Sequence, residues 1–172
     1  DKFSSQYGII LSHLAGLFQD MEEHTKALPL YTEALENIEK SLGKDHSRYG
    51  VCLNDISQLY INIEEYEKAL PLAIEALENA ELNFGKNHSK YGSRLSNLAA
   101  LYVNLEQYNK ALPLLLLASE NSQKNFGKNH SDYAIKLNNL AVFYVSTEDY
   151  NKALPLYLEA LENTQKNLGK DH

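Results

Sequence analysis

Apolar residues along this chain follow helical spacings that restart every 42 positions. In the last stretch, Leu137, Leu140, Ala141 and Tyr144 fall at i, i+3, i+4 and i+7, the stripe of an amphipathic helix. The polar run Ser146, Thr147, Glu148, Asp149 interrupts it. The stripe resumes through Tyr150, Ala153, Leu154, Tyr157, Ala160 and Leu161, which predicts a second helix of roughly 20 residues, about 30 Å long. Gly169, after Leu168, reads as a left-handed helix cap, and Gly43, Gly85 and Gly127 read the same way. The predicted unit is therefore helix, short turn, longer helix and a Gly-Lys-Asp/Asn-His corner. Pro29, Pro71, Pro113 and Pro155 sit near the first turn of each second helix. There a proline costs at most one hydrogen bond and a slight bend, so the helix is expected to continue through it.

The unit recurs throughout. Gly-Lys-Asp-His starts at Gly43 and Gly169, and Gly-Lys-Asn-His starts at Gly85 and Gly127. Ala-Leu-Pro-Leu keeps the same beat from Ala27, Ala69, Ala111 and Ala153. Residues 47–88 and 89–130 are identical at 23 of 42 positions. All twelve tyrosines occupy four register positions, such as Tyr7, Tyr49, Tyr91 and Tyr133. One such hairpin cannot bury its apolar face alone. Repeats over approximately 5–46, 47–88, 89–130 and 131–172 are thus expected to stack as one all-α solenoid spanning 1–172. Small residues recur at Ala15, Ser57, Ala99 and Ala141, and at Ala27, Ala69, Ala111 and Ala153, where helix axes must approach to about 8–10 Å. The chain lacks a starting Met and a closing polar helix. It reads as a piece of a longer repeat protein, with the apolar face of its last helix bare.

Charge and composition exclude several function classes. The net charge of −7 disfavours nucleic acid and anionic membrane surfaces, which call for clustered Lys and Arg. No stretch is long and apolar enough to span a bilayer, and the first residues carry no signal-peptide pattern. A single cysteine, Cys52, permits no intrachain disulfide and fits a reducing compartment, so the expected location is cytoplasmic.

Candidate chemistry is sparse. His46, His88, His130 and His172 recur one repeat apart, roughly 15–20 Å if each repeat adds two helix diameters. Zinc holds its nitrogens at about 2 Å, so these histidines read as corner caps and no metal is expected. Cys52 lacks a partner at a catalytic spacing. Acidic pairs such as Glu64-Glu65 read as solvated, dipole-favoured helix starts. No glycine-rich phosphate loop is present. The expectation is a non-enzyme with no cofactor.

The string Leu-Asn-Asn-Leu-Ala-x-x-Tyr (137–144), followed by Tyr-x-x-Ala (150–153) and Tyr-x-x-Ala-Leu (157–161), resembles the tetratricopeptide repeat. The 42-residue period and the Gly-x-Asp-His corner are similar to its long variety, as in kinesin light chains and bacterial arrays. The chain departs from the family pattern at Ser57, Ala73 and Leu115, and in having Glu22, Glu64, Glu106 and Glu148 where glycine is common. The resemblance implies a right-handed superhelix whose first helices line a concave groove for a partner. Carried onto this chain, it implies a peptide-binding groove that includes Val51, Asn54, Ala100, Val103, Ile135, Asn138, Val142 and Val145, with Asn97 and Asn139 beside them. Asparagine amides both donate and accept, so they suit an extended peptide backbone, while valine and isoleucine suit its side chains. Arg48, Lys90, Arg94 and Lys136 are placed at the flanks. Arrays that clamp a terminal carboxylate place a cation four residues before an Asn or Arg. Here the pairs are Ile9/His13, Val51/Asp55, Ser93/Asn97 and Ile135/Asn139, so no such clamp is expected. The functional expectation is a protein- or peptide-binding scaffold. The alternatives are an architectural spacer, self-associating through its uncapped ends, or a regulatory sensor module of a larger enzyme.

Overall fold

Residues 4–168 are described by a computed structural model, and among them the secondary structure is entirely helical. The shorter helices are α1 (Ser5–Asp20), α3 (Ser47–Asn62), α5 (Ser89–Asn104) and α7 (Ser131–Ser146). The longer ones are α2 (His24–Leu42), α4 (Tyr66–Phe84), α6 (Tyr108–Phe126) and α8 (Tyr150–Leu168). They alternate at 16 and 19 residues, close to the lengths the apolar stripes predict. Each long helix runs unbroken past its exposed proline, because only the bond to the carbonyl four residues back is lost.

The starts of the short helices are fixed by side chains. Ser4 Oγ accepts from the Tyr7 N–H at 3.1 Å. At the next three starts a histidine does this work. Nδ1 of His46, His88 and His130 accepts from the N–H of Arg48, Lys90 and Asp132, each at 3.1 Å. One orphan donor of each helix is thereby satisfied. His172 and Gly169 lie outside the described residues.

The turns between paired helices differ from the sequence reading. Glu22, Glu64, Glu106 and Glu148 all have φ between 56° and 62°, the left-handed region. The Glu64 N–H bonds the Ile61 carbonyl at 3.0 Å, and the Glu65 N–H bonds Tyr60 at 2.8 Å. The same two bonds recur at the other three turns, so each is a Schellman motif closing the short helix. Glu64 thus ends α3 rather than opening α4. The glycines are also not left-handed caps. Gly43 and Gly127 have φ near 80° with ψ of 162° and 164°, an extended positive-φ region open essentially to glycine alone.

The chain divides between Asn83 and Phe84 into two compact units, each built on two hairpins. In the first, α1 packs on α2 and α2 on α3, around Leu11, Tyr31, Ile38, Leu53, Ile56 and Leu59. In the second, α5 packs on α6, α6 on α7 and α7 on α8, with α5 also touching α7. The small residues lie fully buried where helices meet, Ala27, Ala69, Ala111, Ala15, Ala99 and Ala141 among them. Ser57 is accommodated because its hydroxyl donates to the Ala69 carbonyl at 3.1 Å.

Asparagines on the long helices hold the corners, Asn79 and Asn121 from buried positions and Asn83 and Asn125 from exposed ones. Asn79 Nδ2 donates to the Lys44 carbonyl at 2.8 Å and to that of His46 at 3.2 Å, and Asn83 Nδ2 donates to Asp45 at 2.7 Å. In the second unit Asn121 bonds Lys86 and His88, and Asn125 bonds Asn87. Each corner's backbone is therefore satisfied by the second helix of the hairpin that follows it.

Candidate functional site

Short helices of successive hairpins lie side by side in the second unit, so equivalent residues face each other across α5 and α7. Between them lies a cavity of about 230 Å³. Leu115 of α6 and Phe143 of α7, both buried, lie at its floor. Ala100 and Val103 form one apolar wall, and Val142 forms the other. Asn97, Asn104 and Asn139 supply amides to the same cavity, and no charged side chain lines it. Ser96 also contributes, but it is buried and its hydroxyl is committed to the Gly92 carbonyl at 3.2 Å. The result is an apolar pocket with a neutral rim that can both donate and accept.

Five of the ten sequence candidates meet here: Asn97, Ala100, Val103, Asn139 and Val142. Val145, one turn beyond Val142, is exposed on α7. Ile135 and Asn138 line a different groove, about 500 Å³, between α7 and α8. Val51 belongs to the first unit, where it lines a space of about 170 Å³ with Arg48 and Asp55. Asn54 stands nearby, its amide donating to Asp55 Oδ1 at 3.4 Å. Sequence reasoning did not foresee Leu115 and Phe143 as pocket floor, since a buried apolar residue in register reads simply as core.

One further expectation changes, that for Lys136, while Cys52 is the inert thiol its sequence context suggests. Lys136 does not flank the groove as a solvated cation. It is only 6% exposed, with its ammonium 3.6 Å from Asp132 one turn earlier on α7. Cys52 is buried, weakly bonded to Ser12 Oγ and the Tyr31 carbonyl, both at 3.7 Å. Burial pushes its thiol up to about 12, so it is no nucleophile. Among the described residues no cluster of His, Cys, Asp or Glu is arranged to hold a metal, and no helix is long and apolar enough to cross a membrane.

The family model described as tetratricopeptide repeat matches residues 6–82 and 91–166. The chain belongs to the tetratricopeptide repeat family. Solved structures agree on this repeat fold. BtubC (BKLC) from P. vanneervenii superposes with a TM-score of 0.86 at 21% identity, over 94% of this chain and 65% of that one. The apo form of RapI gives 0.79 at 21% identity, over 96% and 58%. YrrB, described as a TPR protein with an unusual peptide-binding site, gives 0.51 at 21% identity, over 94% and 88%. The tetratricopeptide chain thus spans less than two thirds of the BtubC and RapI chains. No curated protein matches it by sequence.

Proposed function

We infer that this tetratricopeptide array is a non-catalytic binding module that takes an extended, uncharged peptide segment between α5 and α7. The observation that carries this is the cavity of about 230 Å³ with an apolar floor and asparagines at its rim. A branched apolar side chain fits the floor of Leu115, Phe143 and Val142. The amides of Asn104 and Asn139 can bond the peptide backbone on either side without reading its sequence. A solved relative, YrrB, is described as having a peptide-binding site, which agrees in kind with this reading.

The test is peptide-display selection on the purified chain, in parallel with the Asn104→Ala/Asn139→Ala double variant and with Val142→Glu. The expected result is an enriched neutral motif centred on Val, Ile or Leu that both variants lose. Circular dichroism confirms that each is folded. No enrichment on a folded wild-type chain would overturn the reading, as would a motif that binds all three proteins equally.

A further inference from the structure

The first unit has its own cleft between short helices, and its rim differs in kind from that of the second. Between α1 and α3 lies a space of about 170 Å³. Ile38 and Cys52, both buried, lie beneath it, with Ile9 and Val51 at its sides. Arg48 stands at one end, in the first turn of α3. Asp55, two turns further along α3, and His13 of α1 stand at the other. Two periods of 42 residues later, His13 and Asp55 become Asn97 and Asn139, the neutral amides of the α5–α7 cavity. The same fold accommodates either set, so packing alone does not require charge at these places.

Arg48 is also the exception in its own register. Lys90, one period on, lies over the Phe84 ring at 4.5 Å, and Asp132, two periods on, pairs with Lys136 at 3.6 Å. Arg48 makes neither contact, because Leu42 and Cys52 occupy the places of Phe84 and Lys136. Its backbone N–H is held by His46 Nδ1, but its guanidinium has no ion-pair partner among the described residues. An unused guanidinium beside an apolar floor suits a carboxylate, which it can bond through two N–H groups at once. Asp55 repels such a group from the far end, which fixes its placement at Arg48. Spacing adds a second constraint. Arg48 and Cys52 are four residues apart, about 6 Å along the helix. An extended peptide turns every second side chain to one face, about 6.6 Å apart.

We propose that the α1–α3 cleft binds an extended peptide segment carrying Asp or Glu two residues from Val, Ile or Leu. The carboxylate bonds Arg48, and the aliphatic side chain covers Ile38 and Cys52. The site shares with the α5–α7 cavity only the broad reading of the array as a peptide-binding module, since the segment taken there is uncharged.

Fluorescence anisotropy on the whole chain tests this with the labelled heptapeptide Ser-Gly-Glu-Ser-Val-Gly-Ser and its reverse. Both ends are blocked, so the glutamate supplies the only carboxylate. One of the two orders is expected to bind, and its Gln counterpart to bind about tenfold more weakly. Arg48→Gln, which keeps the backbone N–H that His46 holds, is expected to show the same loss. Circular dichroism confirms its fold. Arg48→Glu is expected to prefer the Lys counterpart of the peptide, a reversal that a merely structural arginine would not produce. Asn104→Ala/Asn139→Ala is expected to bind the Glu peptide as the wild type does, which separates failure here from failure of the α5–α7 reading. Three results would each overturn the proposal: neither order binding the folded wild type at millimolar concentration, Glu and Gln peptides binding alike, or Arg48→Gln losing nothing.

Discussion

Gly92 on α5 and Asn121 on α6 share one volume: a methyl group added to Gly92 would run into the amide oxygen of Asn121. The glycine is what lets the asparagine lie against α5 and reach the Lys86 and His88 carbonyls. Gly92→Ala should therefore destabilise by about 1–3 kcal/mol, the cost of leaving buried polar groups unpaired, despite alanine's better helix propensity. In an Asn121→Ala background the same change should be neutral or stabilise by up to about 1 kcal/mol. Urea unfolding of the four proteins of this cycle measures the coupling. Additive effects would show that the contact is not what excludes a side chain at Gly92.

Glu106 offers the opposite case. Its φ of 56° is a conformation that costs a side-chain-bearing residue roughly 1–2 kcal/mol. Part of that is offset in any replacement by glycine's greater freedom when unfolded. Glu106→Gly is expected to raise stability by about 0.5–1 kcal/mol. Thermal melts of the two proteins read this directly, and a lower melting temperature for the glycine variant would refute it.

Ser122 is fully buried, and its hydroxyl has no hydrogen-bond partner. Ser122→Ala removes an unsatisfied polar group without opening a sizeable cavity. It should be neutral or stabilise by up to about 1 kcal/mol. A loss above about 1 kcal/mol in denaturant unfolding would mean that the hydroxyl is bonded in solution.

Cys52 makes stability fall in alkali. Its thiol lies at about 12 in the folded chain, against an ordinary value of 9.0. Between those values the unfolded chain ionises while the folded one does not, so the unfolded state holds fewer protons. Stability is complete below 9.0 and is lost as pH rises, by at most about 1.4 kcal/mol per unit from this group. Urea midpoints of wild type and Cys52→Ala should therefore converge as pH climbs through that window. Thiol reagents should label Cys52 only when the chain unfolds.

The sequence and the structure agree best where the signal is periodic. The stripe through Leu137, Leu140, Ala141 and Tyr144 needed nothing beyond spacing, and it became α7. Terminal chemistry was less legible. Glutamate has no preference of its own for the left-handed region, so Glu64, although it stands where the family commonly has glycine, passed as a helix start while Gly43 was credited with the left-handed cap. Asn121 escaped notice because its partners lie 35 and 33 residues away. Its one trace in the sequence is the 42-residue recurrence of Asn37, Asn79, Asn121 and Asn163. The candidate site split for a rotational reason. Asn138 and Asn139 are neighbours in sequence but about 100° apart around a helix with 3.6 residues per turn. One therefore faces the α8 groove and the other the α5 cavity.

The corner asparagines also impose an order on synthesis. The Lys44 carbonyl receives its bond from a residue 35 positions later. As the chain leaves the ribosome, a corner is made long before the side chain that completes it. Each finished hairpin therefore waits on its successor, and the nascent array matures one unit behind its growing end.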